Sequence, residues 1–422
     1  MCLISRIYTL IFLLIIFSSA YASDFAYLDA LQKNGVITQS EADYIAKSMV
    51  AVEPLRKNTQ TLELSSRIQV QYEYLNSEMC SDTLPSPSGR QGFLLRRIFL
   101  EADADVGAGW SAHFGVDLAR NSVKSLLLDN YLAKNIDGEF LNGTVYFGFM
   151  KPQFIFEEIT SSASLYTIER SPTTLFWSGE ASNTRLGVGN RYAGVRFNGN
   201  IMQIDGLSYV VSITNSYQLA PELTAYNANT KFIDNDLAYW FSLHQEIKGD
   251  DWRLKFGAYS MYSASGNRDN CSEIYSINPY ITANYGGLNM WVEYVASRIE
   301  KGKVLSNGSR GSANPYGMNF GIEYRFDVGD WGQIAPVFRY SWLDTNGRGM
   351  RNSDGVRQAP NVSGAYNEVQ DFYIGVNWYL NGDDLKIQLG YDIAHYSGAI
   401  PSSVYNGASD SHALRIQLQV KL

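Results

Sequence analysis

The chain has 422 residues and is acidic, with 34 Lys and Arg against 42 Asp and Glu, a formal net charge of −8. That balance excludes a global basic field, and no nucleic-acid partner is expected. Four scattered His, three Cys and no C-x-x-C give no metal-ligand spacing, so neither a metal nor another cofactor is expected.

In chain order, residues 1–22 come first, with one basic residue, Arg6, an apolar run from Ile7 to Phe17 and the pattern Ala20-Tyr21-Ala22. This is the layout of a secretory signal peptide, and the run is too short to cross a bilayer comfortably as a helix. The mature chain is expected to begin at Ser23. Thr38-Gln39-Ser40-Glu41 forms a capping box, in which the Thr hydroxyl and Glu carboxylate satisfy each other's backbone donors. Ala42, Ile45, Ala46 and Met49 follow at helical spacing, so a helix is expected over about residues 40–50. A polar linker closes this N-terminal segment, 23–60. Cys2 leaves with the leader. Cys80 and Cys271 lie in polar, loop-like stretches that the sequence does not bring together.

From Leu62 the period changes from 3.6 to 2. Ile68, Val70, Tyr72 and Tyr74 oppose Arg67, Gln69, Gln71 and Glu73. Ile98, Leu100, Ala102, Ala104 and Val106 oppose Arg97, Phe99, Glu101, Asp103 and Asp105. Trp110, Ala112, Phe114 and Val116 oppose Ser111, His113, Gly115 and Asp117. At the end, Leu414, Ile416, Leu418 and Val420 oppose Arg415, Gln417, Gln419 and Lys421. Such alternation sets a dry face against a wet one. Segments of about 10 residues, aromatics near strand ends and charges of both signs on the polar face fit a transmembrane barrel better than a soluble sandwich.

Short Gly- and Asp-containing links are expected at 107–109, 137–143, 198–200, 248–251, 285–287, 328–330 and 381–384. They alternate with longer Ser-, Asn- and Gly-rich links. Seven hairpins plus a first and a last strand make sixteen strands, and sixteen enclose an aqueous channel. The fold expected over 61–422 is therefore an all-β, 16-stranded antiparallel transmembrane barrel. The longest link, 150–190, starts at Pro152 and is rich in hydroxyls. It is expected to fold inward and narrow the pore.

Four stretches carry a family likeness. They are "LQKNGVITQSEADYIAK", "RRIFLEADADVGAGWSAHFGVDLA", "GFMKPQFIFEEITSSASLYTIERS" and "GVNWYLNGDDLKIQLGYDIAHY" with the terminal strand. Together they resemble the phosphate-selective porin O and P family, with residues 200–315 contributing little. The resemblance implies a homotrimeric outer-membrane porin that passes small hydrophilic solutes, with phosphate or other small anions preferred in the family's phosphate-specific members, with membrane lipid and lipopolysaccharide around it and its N-terminal segment in the periplasm. It also implies a constriction lined by Arg67, Arg96, Arg97, Phe99, Asp117, Ser161 and Ser162. Guanidinium forks suit phosphate oxygens, and hydroxyls add neutral donors.

The residues leave other roles open. Adjacent Arg96 and Arg97 point to opposite faces of a regular strand, which favours Arg97 as the lumen residue unless the strand bulges. Arg67 and Arg97 can instead pair with Glu73 and Glu101, and Ser161 and Ser162 can cap or turn the loop. Glu169 and Arg170 read as a loop-anchoring pair. Glu157 and Glu158 put negative charge into the loop. Arg268, Lys301, Lys303, Arg310, Arg348, Arg351 and Arg357 offer a basic funnel in the long links. No G-x-S-x-G or plausible triad occurs, so an enzyme is not expected. The alternative to a channel is a barrel that is adhesive, structural or lipid-modifying.

Overall fold

The structure is a computed structural model that describes residues 39–40, 61–79, 89–120, 126–138, 142–179, 184–215, 237–264, 273–357, 365–400 and 409–422. Gln39 and Ser40 are helical. The rest of the expected N-terminal helix, the signal peptide, Cys80, Cys271 and Arg268 lie outside the described residues. By contact the chain forms two compact units. In one of them, which includes 102–112, the strand turns through Gly107, Ala108 and Gly109, all at positive φ. The other, residues 65–101 and 113–422, carries the site.

Among the described residues, sixteen long strands run through the chain. They are β1 Thr61–Met79, β2 Arg90–Gly107, β3 Trp110–Asp117, β4 Leu127–Asp137, β5 Asn142–Met150, β6 Tyr192–Asn200, β7 Leu207–Asn215 and β8 Leu237–Lys248. Then come β9 Trp252–Ser263, β10 Ile274–Tyr285 and β11 Leu288–Val304. Next is β12, in three pieces (Arg310–Ala313, Tyr316–Tyr324 and Phe326–Asp327), then β13 Gln333–Asp344, β14 Ala365–Asn381, β15 Leu385–Ala399 and β16 Ser409–Lys421. Neighbours in sequence pair as antiparallel strands. The ring closes where β1 meets β16, with Arg67 opposite Lys421 and Met79 opposite Ser409. A closed sheet leaves no strand edge to be satisfied in lipid. No described helix is long and apolar enough to cross a membrane.

The alternation read in the sequence sets the two faces. Phe241, Ile277, Ile281, Ile374, Leu389, Ile416 and Leu418 are exposed on the outer face. Trp252, Tyr285, Tyr324 and Trp331 ring its short-turn end, while Tyr239 and Tyr275 stand toward the long links, as interface girdles do. The inner face is polar. At the closing seam, Gln69 donates to Gln419 at 2.6 Å, Gln71 to Gln417 at 2.7 Å, and Gln417 to Gln388 at 2.8 Å. One expected link is displaced. Asn198, Gly199 and Asn200 are strand, paired with Val210, Tyr209 and Ser208, and the turn falls at 201–206. A Cβ on Gly199 would collide with the Tyr209 ring, so this glycine makes room for an aromatic rather than a turn.

The outer face makes one expectation direct. Leu418→Asp places a carboxylate in hydrocarbon and should cost about 1–3 kcal/mol according to depth. The folded fraction by heat-modifiable gel migration should fall. Assembly equal to the parent would take residue 418 off the lipid face.

Candidate functional site in the lumen

After β5 the chain turns inward. Gln153 and Ile155 both sit at φ 70°, a costly conformation for a β-branched residue. The tertiary fold holds it, because Ile155 is fully buried and the next amide, Phe156 N, donates to Asn278 Oδ1 at 3.0 Å. Two short helices follow, α1 Phe156–Ile159 and α2 Pro172–Ser178. The second starts as its sequence dictates. Ser171 is the N-cap, accepting from Thr174 N at 3.0 Å, and Pro172 takes the first position, where no amide is needed. Its Phe176 and Trp177 are fully buried, with Phe154, Ile155, Leu186 and Val188, against Trp240, Tyr259, Val295 and Leu343 of the wall.

Polar bonds tie the loop around most of the wall. Trp177 Nε1 donates to Ser297 Oγ on β11 at 2.7 Å, and Asn319 on β12 to Thr174 Oγ1 at 3.2 Å. Arg339 on β13 donates to the Glu169 carbonyl at 2.7 Å, and Asn377 on β14 to the Tyr166 carbonyl at 2.8 Å. Lys386 on β15 binds the carbonyls of Ala163 and Leu165, and Gln419 on β16 also reaches Ala163 O. Tyr373 on β14 accepts from Ile168 N at 3.4 Å. Its ring lies against Gly375 and its strand partner Gly390, where any Cβ would collide with it.

The centre of this plug is one carboxylate. Glu169 takes a two-point contact from Arg96, Nε–Oε1 2.5 Å and Nη2–Oε2 2.9 Å. Arg97 Nη2 stands 3.7 Å from Oε2 and Arg357 Nε 3.8 Å from it. Burial alone would raise the Glu169 carboxyl, but the Arg96 and Arg97 guanidiniums overcome it and hold it well below the usual range. A second knot joins Glu158 to Lys151 at 2.5 Å and to Arg170 at 3.4 Å. Burial again opposes, and Arg170 and Lys151 depress the Glu158 carboxyl. Burial pushes the Lys151 ammonium down to about 8 against the pull of Glu158.

The expected site residues divide into three groups. Arg67, Phe99 and Ser162 come together. Arg67 Nη1 donates to Ser162 Oγ at 2.8 Å and its guanidinium lies over the Phe99 ring at 4.9 Å. Ser161 beside them is exposed, and its hydroxyl accepts from Ala163 N at 3.3 Å. Arg96 and Arg97 are both buried on the inner face and converge on Glu169. Phe93 and Leu95 are exposed on the outer face before them, so the alternation slips by one residue between the two arginines, as at a β-bulge. Asp117 stands apart. It accepts from Ile98 N at 3.1 Å, Ala119 N at 3.2 Å and Arg120 Nε at 2.9 Å, which fixes the end of β3.

Other pairings differ from those open in the sequence. Glu73 meets Arg90 at 3.0 Å and Arg415 at 3.5 Å, rather than Arg67. Glu101 faces His113 at 4.0 Å. Arg170 donates to the carbonyls of Glu157, Glu158 and Thr160 instead of pairing with Glu169. Arg357 donates to the Arg170 carbonyl at 3.2 Å, which takes it from the basic funnel into the plug.

Where the loop lies against the wall, inner side chains such as Gln71, Asn319, Arg339 and Gln417 are buried. On β3, β4 and β5 the inner face is more open, with His113, Tyr131, Thr144 and Tyr146 half-buried and Asn135 exposed. The open part of the lumen therefore lies along that arc.

A match to the family model of phosphate-selective porin O and P spans residues 63–202 and 307–422, more than half of the chain. The chain belongs to that family. As a porin it forms a water-filled channel in the bacterial outer membrane for passive diffusion of small hydrophilic solutes. Its fold is shared with solved porins of low sequence identity. An anion-selective porin from Comamonas acidovorans is 10% identical, with a TM-score of 0.53 over 85% of this chain and 99% of that one. OprB of Pseudomonas putida is 9% identical, TM-score 0.53, over 88% and 96%. OmpF of Salmonella typhi, in complex with daunomycin, is 12% identical, TM-score 0.52, over 85% and 97%. No curated protein matches the chain. This porin has inner-wall residues not singled out from the sequence, among them Arg196, Arg339 and Lys386. Their signal was the same alternation, in "YAGVRFNGN" and "DDLKIQLG".

Proposed function

We propose that this porin is a general channel with a modest preference for small anions, set at the constriction by Arg67 with the hydroxyls of Ser161 and Ser162. One observation carries the reading. Arg96 and Arg97 converge on Glu169, whereas Arg67 is bonded to a neutral hydroxyl and has no carboxylate within ion-pair distance among the described residues, Glu101 and Asp383 acting on it only from farther away. A guanidinium so placed favours anions passing within about a Debye length, ~8 Å at physiological salt. One cation with hydroxyls binds phosphate weakly, which lets it leave, as conduction requires. The assembly is a homotrimer, by family analogy, and the N-terminal segment and short turns face the periplasm. Lipopolysaccharide then surrounds the long-link end.

Reversal potentials in a KCl gradient test the site. Arg67→Ala should move selectivity toward cations with little change in conductance. An unmoved reversal potential would remove Arg67 from the filter. The topology has its own check. A protease site in the exposed long link 305–310 should be cut on intact cells, and one at 381–384 should be protected; the reverse pattern would invert the barrel.

A further inference from the structure

Beyond the constriction, toward the short-turn end, the lumen widens into a cavity of about 490 Å³ between the loop and β4–β9. Its lining is made mostly of neutral hydrogen-bonding groups. Asn135 and Thr144 face each other across β4 and β5, bonded at 2.9 Å, and Asn198 lies opposite Thr144 on β6. Gln153 of the loop and His244 and Tyr259 complete it. Its charged residues, Asp137 and Lys255, balance. Among the described residues, Asn198 Oδ1 is buried and accepts no hydrogen bond.

One level nearer the constriction, the same strands present rings. His113 stacks on Tyr131 with centroids 5.0 Å apart, Tyr131 meets Tyr146 edge-on at 5.1 Å, and Arg196 covers Tyr146 at 4.3 Å. Ala133 pairs with Tyr146 and Asn135 with Thr144, so the ring level and the amide level adjoin on one wall.

We propose that this wall is a binding subsite for a small neutral polyhydroxylated ring, a mono- or disaccharide, on its way through the channel. A pyranose has apolar C–H faces and a rim of hydroxyls. Flat rings suit the faces. Amides and hydroxyls, which both donate and accept, suit a rim whose every group does the same. Phosphate is a poor match at the amide level, because it carries only acceptors and needs uncompensated cations, whereas Asp137 balances Lys255 there and the Asn198 carbonyl would face it. The volume lies within the range of small-molecule sites.

The proposal rests on the reading as an open channel, and its test separates the two. Single wild-type channels in planar bilayers should show current block by maltose added at the short-turn side, saturating with concentration. Asn198→Leu and Tyr146→Ala should each weaken the block by about threefold to tenfold, the worth of one hydrogen bond or ring contact. Tyr146→Phe, which keeps the ring, should retain the block and so guards against a merely structural effect of the larger change. A conducting protein whose current falls with maltose only as bulk conductivity does would overturn the subsite alone. Equal block in wild type and in both disruptive variants would overturn its location. A protein with no open conductance would overturn the channel reading and the subsite with it.

Discussion

Glu169→Ala should open the pore. The change leaves Arg96, Arg97 and Arg357 sharing a buried space with no carboxylate in contact, since Glu169 is the one all three reach and Asp117, Glu73 and Glu158 act only from farther away. Breaking a buried pair by removing one partner costs about 3–5 kcal/mol. The closed strand ladder does not depend on Glu169 and should still assemble, so the loss falls on the loop. Three guanidiniums repelling one another would push it from the wall. Single-channel conductance should rise and become noisy, and the segment 160–170 should become a protease target in the assembled barrel. Glu169→Gln, which keeps acceptors but not charge, should fall between. Unchanged conductance and protection in Glu169→Ala would mean that the apolar anchor around Phe176 and Trp177 holds the loop unaided.

Acid should loosen the loop and alkali should tighten it. Glu158 and Glu169 have docked carboxyls held below their ordinary values. Their stabilisation of docking is complete above about pH 4.5, the ordinary Glu value, and is lost as pH falls toward the docked pKa. Lys151 acts with the same sign from the other side. Its docked pKa of about 8 lies below its ordinary value of 10.5. Between those values the undocked loop binds more protons, so docking strengthens as pH rises through that window. Conductance in constant salt should therefore be flat from about pH 5 to 8, climb in more acid solution and dip slightly above pH 8. A rise with increasing pH would contradict both knots. In Glu158→Gln the acid limb should be smaller.

Most of the wall was legible in the sequence because a strand's period is 2. A single assignment at Arg67, Gln69, Gln71 and Glu73 fixes the inward face of β1, and the same logic holds at Arg415, Gln417 and Gln419 on the strand that closes against it. The inward loop was legible from Pro152 and its hydroxyls. The partners of its charges were not. Glu169 sits next to Arg170 in the chain, yet its two nearest counter-ions come from β2, 73 residues away for Arg96, and the third is Arg357. Nothing local encodes that choice. The slip at Arg96 and Arg97 was equally opaque, because a bulge is decided by what lies opposite and by the anion both side chains reach. Gly199 misled for a related reason, since a glycine marks either a turn or a close packing partner, and here Tyr209 decided.

The glutamine ladder at the seam has a consequence for the order of folding. Gln69 and Gln419 meet each other across β1 and β16, and both also bind the loop, Gln69 at the Ser162 carbonyl and Gln419 at the Ala163 carbonyl. The loop is synthesised between β5 and β6, long before β16 exists. Its docking groove is therefore assembled from the first and the last strands of the chain, and is complete only after the two ends have met. The loop reports closure. A nascent barrel caught before that moment carries an undocked loop, and insertion into the membrane and narrowing of the conduit become successive events, the second waiting on the first.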